Sequence, residues 1–443
     1  MLAFLFTGLY KLMNTLSELK TGKLAGAKHL QLVEQLSEFP TDIFKLADTL
    51  EVLDLSNNNL SDLPDEFSCL HRLKRVFLSF NQFKHIPTVL VKCPALIMVA
   101  FKGNKISEFA PNSLPKNIEW LILTDNNLHE LPDDFGNYTQ LKKLALAGNN
   151  LKNLPASMAN CTNLELVRLS ANNLIKLDDW LLELPKLAWL AFAGNNFNKA
   201  QCLTKSTLKN TPLENFQLKK VIGQGASGVI HLAKTEHNNV AVKLFKGAIT
   251  SDGYPLDEVN CCLQADNHAN LIKVLSYIEQ SEQLGLVMEL IDSNYTNLGL
   301  PPSLETCTRD TFNDGCNYSI EAVYKIAKQM ANTLTHLHTN KVSHGDIYAH
   351  NTMINEHYDV LFGDFGAATN LVMLSEYQQQ QIQLIEVRAF GCLIEDLLST
   401  VSAADKQNDL FDKMSDIAAR ATNSVIASRP SFKALNVLLN ELV

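Results

Sequence analysis

Leu50-Glu51-Val52-Leu53-Asp54-Leu55-Ser56-Asn57-Asn58-Asn59-Leu60 is a frame of the form L-x-x-L-x-L-x-x-N-x-L, and the first half of the chain repeats it. The frame recurs from Leu73, Leu96, Ile118, Leu141, Leu164 and Leu187 at intervals of 23 residues, once 22. Seven matches in phase exclude coincidence. Positions three and five places after the first leucine point the same way from a short strand, so Leu53 and Leu55 enter a core shared with the next coil. A single unit could not bury that face. The asparagines Asn58, Asn81, Asn104, Asn126, Asn149, Asn172 and Asn195 stand where the chain turns away from the strand. A side-chain amide both donates and accepts, so it can satisfy turn backbone groups that would otherwise be buried unpaired. Many units close on an apolar-proline pair, as at Leu63-Pro64, Ile86-Pro87, Leu131-Pro132 and Leu154-Pro155.

This array resembles the leucine-rich-repeat family, in its 23-residue intracellular type, over residues 27–200. The resemblance implies an α/β leucine-rich-repeat solenoid, a horseshoe with a parallel strand ladder on its concave side. Residues 1–26 form a leader or cap, and a degenerate unit around Leu30, Leu32, Leu36 and Phe39 is expected to close the N-terminal end. Two places after each first leucine come Val52, Arg75, Met98, Trp120, Lys143, Leu166 and Trp189, with Phe77 beside Arg75. Large apolar side chains on a sheet face suit a protein partner, which makes Phe77, Met98, Trp120 and Trp189 its candidate contacts. The other reading of the stripe is a column of aromatics covering its own ladder.

At 443 residues the chain exceeds one hydrophobic core, and 46% hydrophobic with 19% charged residues suits packed domains. A net charge of -9 argues against nucleic acid or an anionic membrane as main partner. None of the nine cysteines forms a C-x-x-C pair, and Cys69, Cys93 and Cys161 precede repeats, where a small buried apolar residue packs well. A reducing compartment fits, and the expected location is cytoplasmic. The apolar stretch Met1–Met13 lacks a basic n-region and is too short to span a bilayer, so no stable membrane insertion is expected. Either Met1 or Met13 can serve as the start.

After the polar stretch from Asn198 to Pro212 the leucine period stops. Val221-Ile222-Gly223-Gln224-Gly225-Ala226-Ser227-Gly228-Val229 contains G-x-G-x-x-G, and Val229 to Lys234 continues as an alternating strand. A dinucleotide loop would lead into a helix; a glycine-rich hairpin can lie over nucleotide phosphates. Val240-Ala241-Val242-Lys243 follows on the next strand, and Glu258 is the candidate carboxylate partner of Lys243 on the next helix. Leu286-Val287-Met288-Glu289-Leu290 reads as a buried strand leaving into a hinge, with Met288 at the back of a pocket. Then come His344-Gly345-Asp346-Ile347-Tyr348-Ala349-His350-Asn351 and Gly363-Asp364-Phe365-Gly366.

These motifs, in this order, resemble the protein-kinase family over residues 214–443, with 201–213 as a linker. The resemblance implies an α+β bilobal domain with ATP in the cleft. Its nucleotide contacts are expected at Gly223, Gly225, Gly228, Val229, Ala241, Lys243, Glu258, Met288, Glu289 and Leu290. It further implies that Asp346 accepts the proton of a protein hydroxyl, that Lys243 clamps ATP, and that Asn351 and Asp364 hold Mg2+. His344 is expected to be structural. Serine or threonine is the favoured acceptor.

Four departures bear on activity. Gly345 replaces the usual arginine, which removes a guanidinium that would meet a phosphorylated loop. Tyr348 replaces the catalytic-loop lysine or arginine, and His350 stands where tyrosine-specific members carry arginine. Glu386 stands only 22 positions after Asp364, with no A-P-E triplet between them, so the segment that shapes the peptide platform is short and Arg429 lacks its customary glutamate. The stretch from Tyr295 to Tyr318 is an insertion, read as a lid, a docking loop or a solvated surface loop. No P-loop motif separates the halves, which excludes a repeat GTPase. The alternative to an active kinase is a nucleotide-binding pseudokinase scaffold, and a third reading is a pure interaction protein; retention of Lys243, Asp346, Asn351 and Asp364 argues against the third.

Overall fold

A computed structural model describes residues 14–199 and 208–442, apart from 226, 248, 251 and 281–282. The apolar stretch to Met13, part of the polar stretch after Asn198, and Ala226 of the glycine motif therefore lie outside the described residues. The chain divides into two compact units, with the boundary between Leu184 and Pro185. The leucine period ends near residue 200, yet the contact boundary falls one coil earlier, so the frame that starts at Leu187 belongs to the second unit.

In the first unit a short helix α1 (Leu16–Lys20), held by a Thr15/Glu18 capping box, precedes seven strands. These are β1 (His29–Gln31), β2 (Val52–Asp54), β3 (Arg75–Phe77), β4 (Met98–Ala100), β5 (Trp120–Ile122), β6 (Lys143–Ala145) and β7 (Leu166–Arg168). All pair in parallel without slippage, so Val52, Arg75, Met98, Trp120, Lys143 and Leu166 stand opposite one another in turn. The Leu30 unit, expected as a degenerate cap, supplies the end strand of the ladder: His29 pairs with Val52, and Leu30 and Leu32 are buried.

The asparagines do what the frame predicts. Asn126 Nδ2 donates to Phe101 O at 2.9 Å and Leu123 O at 3.1 Å, while its Oδ1 accepts from Ile106 N at 2.9 Å. Asn81, Asn104, Asn149 and Asn172 make the same two donations, one within the coil and one to the coil before. Backbone groups left by three-residue strands are thereby satisfied, and leucines such as Leu53, Leu55 and Leu78 are buried completely. Cys93 and Cys161 are buried as expected, whereas Cys69 is exposed.

The stripe assigned to a partner is not open surface. Phe77, Met98, Trp120 and Trp189 are at most 3% exposed. The Lys143 ammonium lies 4.2 Å from the centre of the Trp120 ring and covers it as a cation over a π face. A helical turn α2 (Asp179–Leu182) closes this unit.

The second unit opens with β8 (Trp189–Ala191). It continues into an antiparallel sheet of β9 (Gln217–Gln224), β10 (Gly228–Lys234), β11 (Asn239–Phe245), β12 (Val274–Gln280) and β13 (Gln283–Glu289), in the order β12-β13-β11-β10-β9. Helix α3 (Pro255–Ala265) packs on this sheet through Val259 and Leu263 against Leu286. A helical region follows, with α4 (Ile320–Thr339), α5 (Glu376–Ser399), α6 (Asp409–Ala421) and α7 (Phe432–Asn440). The insertion from Tyr295 to Tyr318 is no solvated loop. Thr296–Asn297 pairs with Thr352–Ile354, and Leu298, Thr308 and Asp310 are buried.

Candidate active site

A cavity of about 860 Å3 lies between the five-stranded sheet and the helical region of the second unit. The alternation of β9 and β10 makes its roof: Gly225 N donates to Gly228 O at 3.0 Å and closes a hairpin. The strand that continues from Gly228 is what separates this loop from a dinucleotide fold. Gly223, Gly225, Gly228, Ala241, Lys243, Glu258, Met288, Glu289 and Leu290 all line the cavity. Val229 does not, and its neighbour Ile230 does. Successive strand residues face opposite sides, so an inward Gly228 puts Ile230 inward and Val229 outward.

Lys243 ends the apolar run of β11 and forms a direct, buried ion pair with Glu258 Oε1 from α3. Burial alone would push the Lys243 ammonium down, but the carboxylates of Glu258 and Asp364 outweigh it and hold the group above its ordinary value. Asp364 sits in the left-handed region at φ 60°, with its carboxylate accepting from Gly366 N. Burial raises its pKa, yet the Lys243 ammonium, helped by the Gly366 N–H, overcomes this and keeps Asp364 below the usual carboxylate range. Within the cavity, Lys243 and Asp364 are thus each shifted toward their charged forms.

On the helical side, Asn351 Nδ2 donates to Asp346 O and to Asp346 Oδ2, each at 2.9 Å. Both amide hydrogens are thus used on Asp346, which sets the direction of its carboxylate and leaves Asn351 Oδ1 as an acceptor. Asn351 and Asp364 both line the cavity. A carboxylate and an amide oxygen are the donor set that suits a hard divalent cation such as Mg2+. His344 is completely buried, stacked 4.1 Å from Phe362, with Nε2 3.0 Å from Gly363 O. Burial lowers its pKa, and a ring enclosed between Phe362 and Phe365 is structural, as the sequence suggests.

Comparison with known proteins agrees with this geometry. The family model described as protein kinase domain matches residues 216–384, and the one described as leucine rich repeat matches residues 29–83. The chain carries leucine-rich repeats and a protein kinase domain. It is similar to the serine/threonine-protein kinase PITSLRE of Drosophila melanogaster, 25% identical over 46% of this chain and 23% of that protein. It is also similar to the CTD kinase subunit alpha of Schizosaccharomyces pombe, 23% identical over 40% of this chain and 32% of that one. A third relative is the Aurora/IPL1-related protein kinase 2 of Caenorhabditis elegans, 28% identical over 35% of this chain and 48% of that one. The chain thus spans less than half of the length of each of these relatives.

The departures in the kinase domain now have physical reasons. Gly345 has φ 72°, and a Cβ there would lie 2.5 Å from Ala367 O and 2.9 Å from Leu190 O. No arginine fits. Its N–H donates to Glu386 Oε1 at 2.6 Å, and Glu386 Oε2 is 2.6 Å from His338 Nε2. Burial raises the Glu386 pKa, but His338 and the Gly345 N–H more than reverse it. Tyr348 is buried face to face with Trp189, ring centres 4.7 Å apart and planes 3° from parallel. His350 lies 2.8 Å from Asp310 Oδ1, and Asp310 Oδ2 accepts from Ala349 N at 2.6 Å. The insertion therefore braces the catalytic loop.

Arg429, deprived of a glutamate, donates to three carbonyls: Asn423 at 2.8 Å, Leu384 at 3.0 Å and Pro185 at 2.7 Å. Burial and the nearby Arg388 lower it to about 10. Sequence reasoning missed Ile230, Asp310, the binding role of Glu386 and the true place of Trp189. Counting two places past Gly228 would have found Ile230, and Glu386 was marked only as the end of the short segment after Asp364. For Asp310, inside an insertion, no sequence signal existed.

Proposed function

We propose that the second unit transfers the γ-phosphate of ATP to a protein hydroxyl, serine or threonine in preference to tyrosine, and that the repeats bind protein. The observation that carries this reading is the convergence on one cavity of Lys243, paired with Glu258, and the acceptors Asp364 and Asn351, with Asn351 holding Asp346. Phosphoryl transfer needs positioning and charge neutralisation more than covalent chemistry. In this reading Lys243 binds the phosphates under the glycine hairpin, and Glu258 fixes the ammonium's position. Met288, Glu289 and Leu290 hold the base. Asp346 accepts the acceptor hydroxyl's proton. Asp364 and Asn351 Oδ1 hold Mg2+, which when bound neutralises phosphate charge.

His350, tied to Asp310 and lacking the guanidinium of tyrosine-specific members, supports a serine or threonine acceptor, as does the likeness to the Drosophila serine/threonine-protein kinase. Since Phe77, Met98 and Trp120 are buried, the binding face of the repeats lies in other positions than that stripe. No helix among the described residues is long and apolar enough to cross a membrane. Eight described cysteines are free thiols, which supports a reducing, cytoplasmic location.

The test is transfer of labelled γ-phosphate from ATP with magnesium to a mixed Ser/Thr/Tyr peptide pool, comparing the native chain with Asp346→Ala. Transfer lost in the variant is expected, and the labelled residue names the acceptor. Nucleotide-induced stabilisation without transfer in the native chain would sink the kinase reading in favour of a nucleotide-binding scaffold.

A further inference from the structure

We propose that the last leucine-rich coil, Pro185–Asn198, is a brace for the catalytic site, and that Trp189 is a positioning residue for the catalytic loop. This inference rests on the kinase reading above for its consequence in turnover, and on geometry alone for the brace itself.

The coil meets the helical region, the Asp346 loop and α3 in succession. At its start, Arg429 donates to Pro185 O at 2.7 Å and Arg388 Nε donates to Lys186 O at 3.0 Å, which ties the coil to the helical region. In its middle, the Trp189 ring stacks on Tyr348, and Trp189 Nε1–H donates to Ile347 O at 3.0 Å. Ile347 directly follows Asp346, so the bond fixes the backbone next to the carboxylate. Leu190 O lies where a Cβ on Gly345 would come within 2.9 Å, immediately before Asp346. At its end, Gly194, with φ 74°, lies so close to α3 that a Cβ would approach Tyr254 to 2.5 Å and Asp257 Oδ2 to 2.7 Å. Asp257 adjoins Glu258, the partner of Lys243. The Lys199 ammonium adds a contact 5.2 Å from the Tyr254 ring centre.

One coil thus holds the Asp346 loop from one side and the Glu258 helix from the other. A chain in which Glu386 stands only 22 positions after Asp364 has little activation segment with which to do this. The coil supplies the missing support, and Arg429 uses the carbonyl of Pro185 where no glutamate is available. Stacking of two rigid rings with a buried N–H···O bond costs little side-chain entropy and fixes both position and rotation. This also explains why Trp189 and Tyr348 are aromatic where a partner surface and a basic residue were expected.

The test compares the full-length native chain with Trp189→Phe, Trp189→Ala and Gly194→Ala, by hydrogen exchange of segments 344–351 and 255–265 and by steady-state transfer. Trp189→Phe keeps a stacked ring and removes the N–H, and is expected to lower kcat about 10-fold with KM for ATP unchanged. Trp189→Ala should lower it about 100-fold and speed exchange in 344–351, while Gly194→Ala should speed exchange in 255–265. Unchanged exchange in 344–351 in both Trp189 variants overturns the brace, as does a loosened loop with kcat within twofold of native. If the native chain transfers no phosphate, the kinase reading fails, and exchange alone decides for or against the brace.

Discussion

The repeat ladder and the catalytic cleft both bury polar side chains, but in opposite ways. In the ladder the buried groups that recur are neutral amides, each making the same two donations one coil after another, while the buried charges Asp54, Lys143 and Arg168 stand singly on their strands. In the second unit they are charged and unique: Lys243 with Glu258, Glu386 with His338, Arg429 on three carbonyls. A neutral amide that is fully bonded carries a small desolvation cost and tolerates repetition. A buried charge is expensive wherever it lacks its one partner, which makes it useful only where function needs it. Fold therefore resides in the repeated element, and chemistry in the unrepeated ones.

The sharpest way to break this contrast is Asp346→Asn. Loss of a general base costs about 100- to 10,000-fold in rate, so transfer should fall by about 1,000-fold. The melting temperature should hardly move, because the amide keeps the shape and accepts from Asn351. Steady-state transfer and thermal melting measured on one preparation check both halves.

Next comes the ladder itself. Asn126→Ala deletes two donations and one acceptance and leaves buried backbone groups of two coils unpaired. A cost of about 3 kcal/mol is expected by urea unfolding of the first unit's transition, with transfer per folded molecule unchanged. A smaller loss than for the exposed Asn59→Ala would contradict the ladder's role.

The Glu386 pair sharpens the comparison through pH. Its carboxyl is held below the usual glutamate range, so this group contributes stability that is present above its unfolded value, near 4.3, and is lost as pH falls through the lower folded value. Glu386→Gln should cost about 2 kcal/mol at pH 7, and the gap to the native chain should narrow as the melts are taken from pH 6 down to pH 3. A gap that stays constant would show that the carboxylate's charge is immaterial.

The same contrast explains what was legible in the sequence. Periodicity exposed the ladder because one physical need, satisfying the backbone of a three-residue strand, recurs at every turn. The cavity was legible where chemistry fixes residue type and order: Lys243, Asn351 and Asp364 line it, and Asn351 holds Asp346. Support for those groups was not legible. Asp310 reaches Ala349 and His350 from an insertion 39 and 40 residues away, which no spacing announces. Trp189 obeys the repeat's frame while serving the catalytic loop, so its periodicity pointed to the wrong neighbour. Val229 and Ile230 are neighbours on one alternating strand, and which of them faces the cavity depends on the inward placement of Gly228, which the motif's spacing does not fix.

The smallest effect belongs to the one charged feature that the ladder does repeat. Lys142 Nζ lies 3.0 Å from Glu119 Oε2, 23 residues earlier, and Lys74 meets Glu51 at the same interval, so adjacent coils are linked along their outer rim. These ends are well exposed, with 40% and 35% of the Lys142 and Glu119 side chains open to water. Solvent screening and the entropy of two long side chains reduce such a pair to at most about 0.5 kcal/mol. Lys142→Ala should therefore shift the urea midpoint barely beyond error, and 0.5 M salt should erase the difference. A loss as large as that of Asn126→Ala would mean that the rim, and not the buried amides, sets the register of the coils.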